Sequence, residues 1–321
     1  MTGPIDVHAH FVPEAAFTIP LADGVLQLRP GDRSVHVNDL CLPLTSPSIS
    51  DVGDLLADMD RAGIARRVLS GPPFTFATDA RGDAAADYAT TYNDALAEVC
   101  EASAGRLVGL GLVPLNDIVA ARAEMDRILS RPGLFGIAMP PLLGDGSFDE
   151  GPLRDHALAA AERDLSVLIH PSQINRPELG RHYLANLIGN PTETAIGVAS
   201  LLLGGLLEEA PGLRICFLHG GGSARALLGR WDHGWRERRD VSAHSTVTPS
   251  VAVRQVYFDT LTHDEQLARE LTAHFSPDRI VIGSDYPFDM GNVDAVKAAA
   301  AAGFDPAQLT ANAERFLGAR A

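Results

Sequence analysis

Short runs of β-branched and aliphatic residues alternate along the whole chain with longer stretches whose apolar positions recur at helical spacing. Eight such runs stand out: PIDVHAH from Pro4, RRVLSG from Arg66, LVGLGLVP from Leu107, FGIAMPP from Phe135, SVLIHP from Ser166, RICFLHG from Arg214, QVYFDTL from Gln255 and RIVIGSDYP from Arg279. Each ends on a turn or polar residue, as a strand does where it leaves a core. Between them, DVGDLLADMDRAG, NDIVAARAEMDRILSRPG and PTETAIGVASLLLGGLLEEAPG open on Asp, Asn or Pro-Thr and close on Gly, the punctuation of helices. Strand and helix in alternation imply parallel strands, and eight units in 321 residues predict a (β/α)8 TIM barrel. A doubly wound sheet would normally show GxGxxG after its first strand, and none is present. The chain, residues 1–321, is read as one domain. Residues 11–50 break the rhythm: they are rich in Pro, Gly and Asp and too long for a βα loop. They are read as an insertion, a lid over the active site, with a small strand pair around LQLRPGDRSVHVNDL.

Composition narrows what such a barrel can do. The formal charge is -15 with acids scattered through the helical stretches, which argues against nucleic acid or an anionic membrane as partner. No window approaches 18 apolar residues, and the N-terminus lacks the basic and apolar regions of a signal peptide. Cys41, Cys100 and Cys216 show no CxxC spacing, so a reducing, cytoplasmic setting is expected. Lys297 is the sole lysine and falls in a late outer-helix pattern. Schiff-base aldol chemistry, pyridoxal chemistry and a binuclear metal site bridged by a carbamylated lysine all need an active-site lysine, so all three are disfavoured.

The candidate chemistry lies at the strand ends. His8 and His10, two apart at the end of the first run, point to the same side of a strand. His170 ends the fifth run, His219 the sixth and Asp285 the eighth. In a barrel these ends share one face, where active sites of this architecture are found. Three histidines with a carboxylate suit zinc or another borderline divalent ion. HGGG after the sixth run invites a serine-esterase reading, but no GxSxG elbow accompanies it. Its glycines would instead let backbone approach a ligand or simply make a tight turn. His263, just past the seventh run, is the further histidine nearest this face in sequence.

The chain also resembles the amidohydrolase superfamily, in the branch typified by aminocarboxymuconate-semialdehyde decarboxylase. The likeness rests on DVHAHFVP, DMDRAGI, NDALAEVCEASAGRLVGLGLVP, the IHP around His170, GNPTETAIGVASLLLGG, CFLHGGG, GRWDHGWRERRD and IGSDYPF, in the family's order and nearly end to end. It implies one zinc held with a water by His8, His10, His170 and Asp285, and His219 as general acid/base. It further implies a homodimer in which Arg238 reaches the neighbouring subunit's site to hold a substrate carboxylate. The pattern departs at two pocket positions: His36 falls near the place of a second carboxylate-binding arginine, with Arg33 close by, and Asn186 at that of a stacking tryptophan. These departures concern the substrate and leave the metal set untouched.

The expected function is therefore non-oxidative decarboxylation of a small unsaturated or aromatic carboxylic acid, with hydrolysis of a lactone, amide or related carbonyl as the alternative. Arg225, Arg230 and Arg238 after the sixth run favour an anionic substrate. A catalytically inert barrel serving as a scaffold would be expected to lack a ligand or base, and none is missing.

Overall fold

The structure, a computed structural model, describes residues 3–17, 27–46, 49–172 and 176–318. Strand β1 (Ile5–His10) is followed by β2 (Leu28–Gly31), β3 (Ser34–Val37) and β4 (Leu40–Pro43), then by β5 (Arg66–Ser70), β6 (Leu107–Gly111), β7 (Leu134–Met139), β8 (Ser166–Ile169), β9 (Arg214–Phe217), β10 (Tyr257–Asp259) and β11 (Ile280–Val281). Each of the eight apolar runs thus contributes one strand to a parallel sheet in the order β1-β5-β6-β7-β8-β9-β10-β11. The last strand returns to the first. Parallel bridges join Asp6 to Ile282 and Ala9 to Tyr286, and the N–H groups of Val7 and His10 donate to the carbonyls of Ile282 and Tyr286 at 2.8 and 2.7 Å. The result is the (β/α)8 barrel expected from the alternation.

Residues of β6 and β7 are buried throughout, as parallel strands covered on both faces must be, which is why their runs are continuously apolar; β1 is equally buried but alternates Ile5, Val7 and Ala9 with Asp6, His8 and His10. The outer layer contains α1 (Val52–Ala62), α2 (Gly82–Ala102), α3 (Ile118–Ser130), α4 (Pro152–Glu162) and α5 (Asn190–Leu203). It continues with α6 (Leu206–Glu209), α7 (Ala224–Glu237), α8 (Pro249–Ala252), α9 (Glu265–His274), α10 (Ala295–Ala301) and α11 (Pro306–Leu317). Their ends follow the sequence punctuation. The Asp51 side chain accepts the Asp54 N–H at the start of α1, and Gly63 closes that helix at φ 72°, where a side chain would be strained. Asp117 caps α3 through the N–H groups of Val119 and Ala120. Lys297 lies exposed on α10, paired with Asp294 at 3.0 Å.

Where the sequence suggests a strand pair within 11–50, the structure has three strands: β2, β3 and β4 form an antiparallel sheet. Residues 18–26 and 47–48 of this insertion lie outside the described residues. The sheet is tied to the barrel mouth by an antiparallel bridge between Leu44 and Phe288 and by a hydrogen bond from the Thr45 N–H to the Pro287 carbonyl at 2.5 Å. A charged cluster links the barrel strands to α1. Arg67, 1% exposed, donates to Asp6 at 2.9 Å and Asp58 at 3.0 Å while lying over the Tyr286 ring. Asp6 in turn accepts from the Ser284 hydroxyl at 2.6 Å, so β1, β5 and the segment after β11 are joined by ionic and polar contacts.

Candidate metal centre at the barrel mouth

The side chains singled out at the strand ends converge. His8 and His10 come from β1, His170 follows β8, His219 follows β9 and Asp285 follows β11, all at the C-terminal ends of their strands. One ligating atom from each of His8, His170, His219 and Asp285 falls within a cluster spanning no more than 4.8 Å. His10 joins from the other side, its Nε2 3.0 Å from Asp285 Oδ1 and its ring centroid 4.8 Å from that of His170. Asp285 faces two ways: Oδ1 stands 3.2 Å from His8 Nε2, whereas Oδ2 stands 3.7 Å from His219 Nε2. Both His219 and Asp285 have left-handed backbone, with φ of 56° and 57°. Non-glycine residues occupy that region at a cost that surrounding structure must impose, a common mark of functional positions.

Donor chemistry fits a cation. Nε2 of His8, His10 and His170 and Oδ1 of Asp285 are buried and have no hydrogen-bond partner among the described residues. Leaving four convergent polar atoms unsatisfied would be expensive, and a divalent ion satisfies them together. Two of the rings are oriented for it. His8 Nδ1 contacts Asp259 Oδ2 at 2.6 Å, and His170 Nδ1 donates to the Pro171 carbonyl at 2.7 Å, which directs each Nε2 lone pair to the centre. Asp259 Oδ1 also accepts the Gly220 N–H at 2.7 Å, so one carboxylate holds both a candidate ligand and the turn that carries His219.

Electrostatics agree. Burial opposes a charge on His8, yet the carboxylates of Asp285 and Asp259 outweigh it and hold its pKa at about 10. Burial pushes His10 down and His170 well down, keeping both neutral. For Asp285 burial works against ionisation, but His8 and the adjacent His10 and His219 nitrogens hold its carboxyl well below the usual range. The apoprotein thus keeps a proton on His8 where a metal-loaded site would keep a cation.

Two cavities meet at this centre. One, of about 220 Å3, is lined by His219, Arg225, Thr262, His263 and Asn186. The other, of about 170 Å3, is lined by His170, Asn186, Phe288 and apolar residues of the small sheet and of the loop after β5, including Val37, Leu42 and Phe74. Asn186, Asn190, Asp285 and Met290 border both. Asn186, expected at the place of a stacking tryptophan, lines both cavities. His36 does not border either cavity: it alternates with Val37 along β3, and its ring lies beside Gly31. Arg238 closes α7 on the surface, its side chain 65% exposed and paired with Asp240 at 2.6 Å. It does not enter the cavities of its own chain. Arg33 donates to the Thr45 carbonyl at 3.4 Å.

The glycines of HGGG serve packing. Gly220 and Gly222 have positive φ, and a Cβ on Gly222 would lie 2.5 Å from the Pro191 carbonyl oxygen. The N–H groups of Gly220, Gly221 and Gly222 donate to Asp259 Oδ1, Leu218 O and His219 O, so they are engaged within the protein. Two buried acids that hold residues of the site, Asp259 and Glu193, were not singled out from the sequence. Asp259 carried a usable signal, since it too closes an apolar run, in QVYFDTL. Glu193, which accepts from the N–H and hydroxyl of Ser172 at 2.9 Å just beyond His170, carried none: in PTETA it reads as an ordinary first-turn helix acid.

Fold and site together define a (β/α)8 barrel whose mouth carries, among the described residues, a cluster of histidine and carboxylate donors that could hold a metal ion. The chain belongs to the amidohydrolase family, whose profile matches residues 5–318. It is 29% identical over 240 residues to 2-amino-3-carboxymuconate-6-semialdehyde decarboxylase of Dictyostelium discoideum, covering 74% of this chain and 67% of that one. It is 29% identical over 268 residues to gamma-resorcylate decarboxylase of Rhodococcus jostii, covering 74% and 78%. Among solved structures, 5-carboxyvanillate decarboxylase of Novosphingobium aromaticivorans, complexed with manganese and 4-hydroxy-3-methoxy-5-nitrobenzoic acid, superposes with a TM-score of 0.79 at 22% identity over 98% and 95% of the two chains. No helix among the described residues is long and apolar enough to cross a membrane.

Proposed function

We propose that this protein is a metal-dependent, non-oxidative decarboxylase of a small aromatic or unsaturated carboxylic acid. The observation that carries the reading is the set of buried, unsatisfied Nε2 and Oδ1 atoms converging beside His219 at the barrel mouth. Decarboxylase names among the relatives supply the reaction class. His8, His10, His170 and Asp285 hold the ion, which we take to be zinc, with manganese the competing choice. When bound, the ion supplies concentrated positive charge that polarises the substrate and offsets charge building on it. His219, facing Asp285 Oδ2, delivers a proton from Nε2 to the carbon that bears the carboxylate; the bond to that carboxylate then breaks and carbon dioxide leaves. Asn186 borders the substrate space. Arg238, exposed and remote from its own cavities, is assigned to the partner's site in a homodimer; His36 is retained as a candidate only through movement of the small sheet. Residues 11–50 act as the lid, a role supported by Val37, Leu40 and Leu42 lining the apolar cavity. A reducing, cytoplasmic setting suits the three free cysteines.

The test is gas release from metal-loaded protein given a panel of hydroxybenzoic and unsaturated acids in water labelled with heavy oxygen. Carbon dioxide evolved with unlabelled product supports the reading. Labelled product without carbon dioxide overturns it in favour of hydrolysis.

A further inference from the structure

The two cavities differ in chemistry, and the difference defines how a substrate must lie. One is furnished with donors: Arg225, His263, His219 and Thr262 all line it. Arg225 is held in place there, its Nη1 donating to the Leu267 carbonyl in the first turn of α9 at 2.9 Å. The acids of that turn are engaged elsewhere: Asp264 caps α9 through the Leu267 N–H at 2.8 Å, and Glu265 pairs with Arg269. Backbone donors are scarce, because the HGGG amides are already engaged. The other cavity is furnished with carbon: Val37, Leu42, Pro73, Phe74 and Phe288. Asp285 borders both, so this candidate ligand stands at the junction, with His219 on the donor side and His170 on the apolar side.

Resting on the decarboxylase reading, we propose that Arg225 and His263 form a carboxylate-binding subsite on this chain, opposite an apolar subsite that takes a single ring or a short alkenyl body. The carboxylate enters the donor cavity beside His219. The carbon bearing it then lies at the junction, within reach of the proton donor. A guanidinium pairs with a carboxylate through charge-assisted hydrogen bonds, and the Leu267 anchor means little side-chain freedom is lost on binding. Leu42, Phe74 and Phe288 exclude a second charged group from the far end, since an uncompensated charge against them would be costly. The subsite comes from the chain itself and does not require Arg238 of a second copy.

Calorimetric titration of the zinc-loaded protein with benzoate and with benzamide, its uncharged isostere, tests this without turnover. Wild type is expected to prefer benzoate by roughly ten-fold or more. In Arg225→Gln that preference collapses while benzamide binding is kept; Arg225→Lys restores part of it; Phe74→Ala weakens both ligands alike. Thermal melting and metal content of each variant confirm that the centre is intact. No benzoate preference in wild type, or a preference that survives Arg225→Gln, overturns the subsite. The readouts separate the two proposals: a preference that collapses without carbon dioxide release from any acid leaves the subsite standing and removes the reaction. Release of carbon dioxide with an unaltered preference does the reverse.

Discussion

At the scale of single residues the site divides labour among chemically similar groups by what each ring nitrogen faces. His8 and His10 turn Nε2 to Oδ1 of Asp285 and His170 has its Nδ1 occupied by the Pro171 carbonyl, whereas His219 turns Nε2 to the far oxygen of Asp285, Oδ2. That contrast argues for His219 as the proton-transfer group even though its position would also allow it to ligate. His219→Asn should lower turnover by at least about 100-fold with one metal per chain retained. Loss of the metal in that variant would instead make His219 a ligand. Asp259→Asn keeps the shape but weakens the hold on His8 Nδ1, and metal affinity should fall about 10- to 100-fold in competition with a chromogenic chelator. A proton balance follows from His8. Its pKa of about 10 in the apoprotein means that at pH 7 an incoming ion displaces one proton from it, whereas His10 and His170, held low by burial, have none to give. Affinity should therefore rise with pH from neutrality to about 10. Calorimetry in two buffers of different ionisation enthalpy should count about one proton released, and a count of zero would contradict the assignment.

At the scale of elements, strands such as β6 and β7 were legible because parallel barrel strands are buried on both faces and so announce themselves as unbroken apolar runs. The convergence of His8, His10, His170, His219 and Asp285 was legible for a related reason: a histidine or acid ending such a run is placed on one face of the barrel by topology alone. What escaped was whatever depends on the third dimension. Nothing in RRVLSG indicates that Arg67 turns inward between Asp6 and Asp58, and nothing in SVHV indicates which of His36 and Val37 faces the cavity. A strand's alternation fixes that the two face opposite ways, but the side is chosen by where the small sheet docks. The Arg67 cluster makes a prediction of its own. Removing the guanidinium leaves Asp6, wholly buried, without its counter-ion, so Arg67→Ala should destabilise the protein by about 3–5 kcal/mol in urea unfolding. The loss should be smaller at low pH. Burial already raises the Asp6 pKa, and without Arg67 the carboxyl takes up a proton more readily, which removes the unpaired charge. A loss below about 1 kcal/mol at neutral pH would show that the pair is not needed to hold β1 against β5.

At the scale of the whole molecule, an anionic substrate must approach a protein whose formal charge is -15. Two fields compete. The net charge repels an acid at long range, and Arg225 with a bound divalent ion attracts it at short range. Their ranges decide how salt acts. At about 10 mM salt the screening length is roughly 30 Å, comparable to the size of the barrel, so repulsion extends well into solution; at about 150 mM it shrinks to roughly 8 Å. The short-range attraction inside a partly desolvated cavity is screened much less. Raising salt over that interval should therefore lower KM for a singly charged acid by about two-fold or more, with little change in kcat, because only the approach is affected. Benzamide used as an inhibitor should show no such trend. Measured KM values rising with salt would mean that the basic groups at the mouth, Arg238 of a second copy included, dominate the field that the substrate meets, and that the mouth attracts acids despite the net charge.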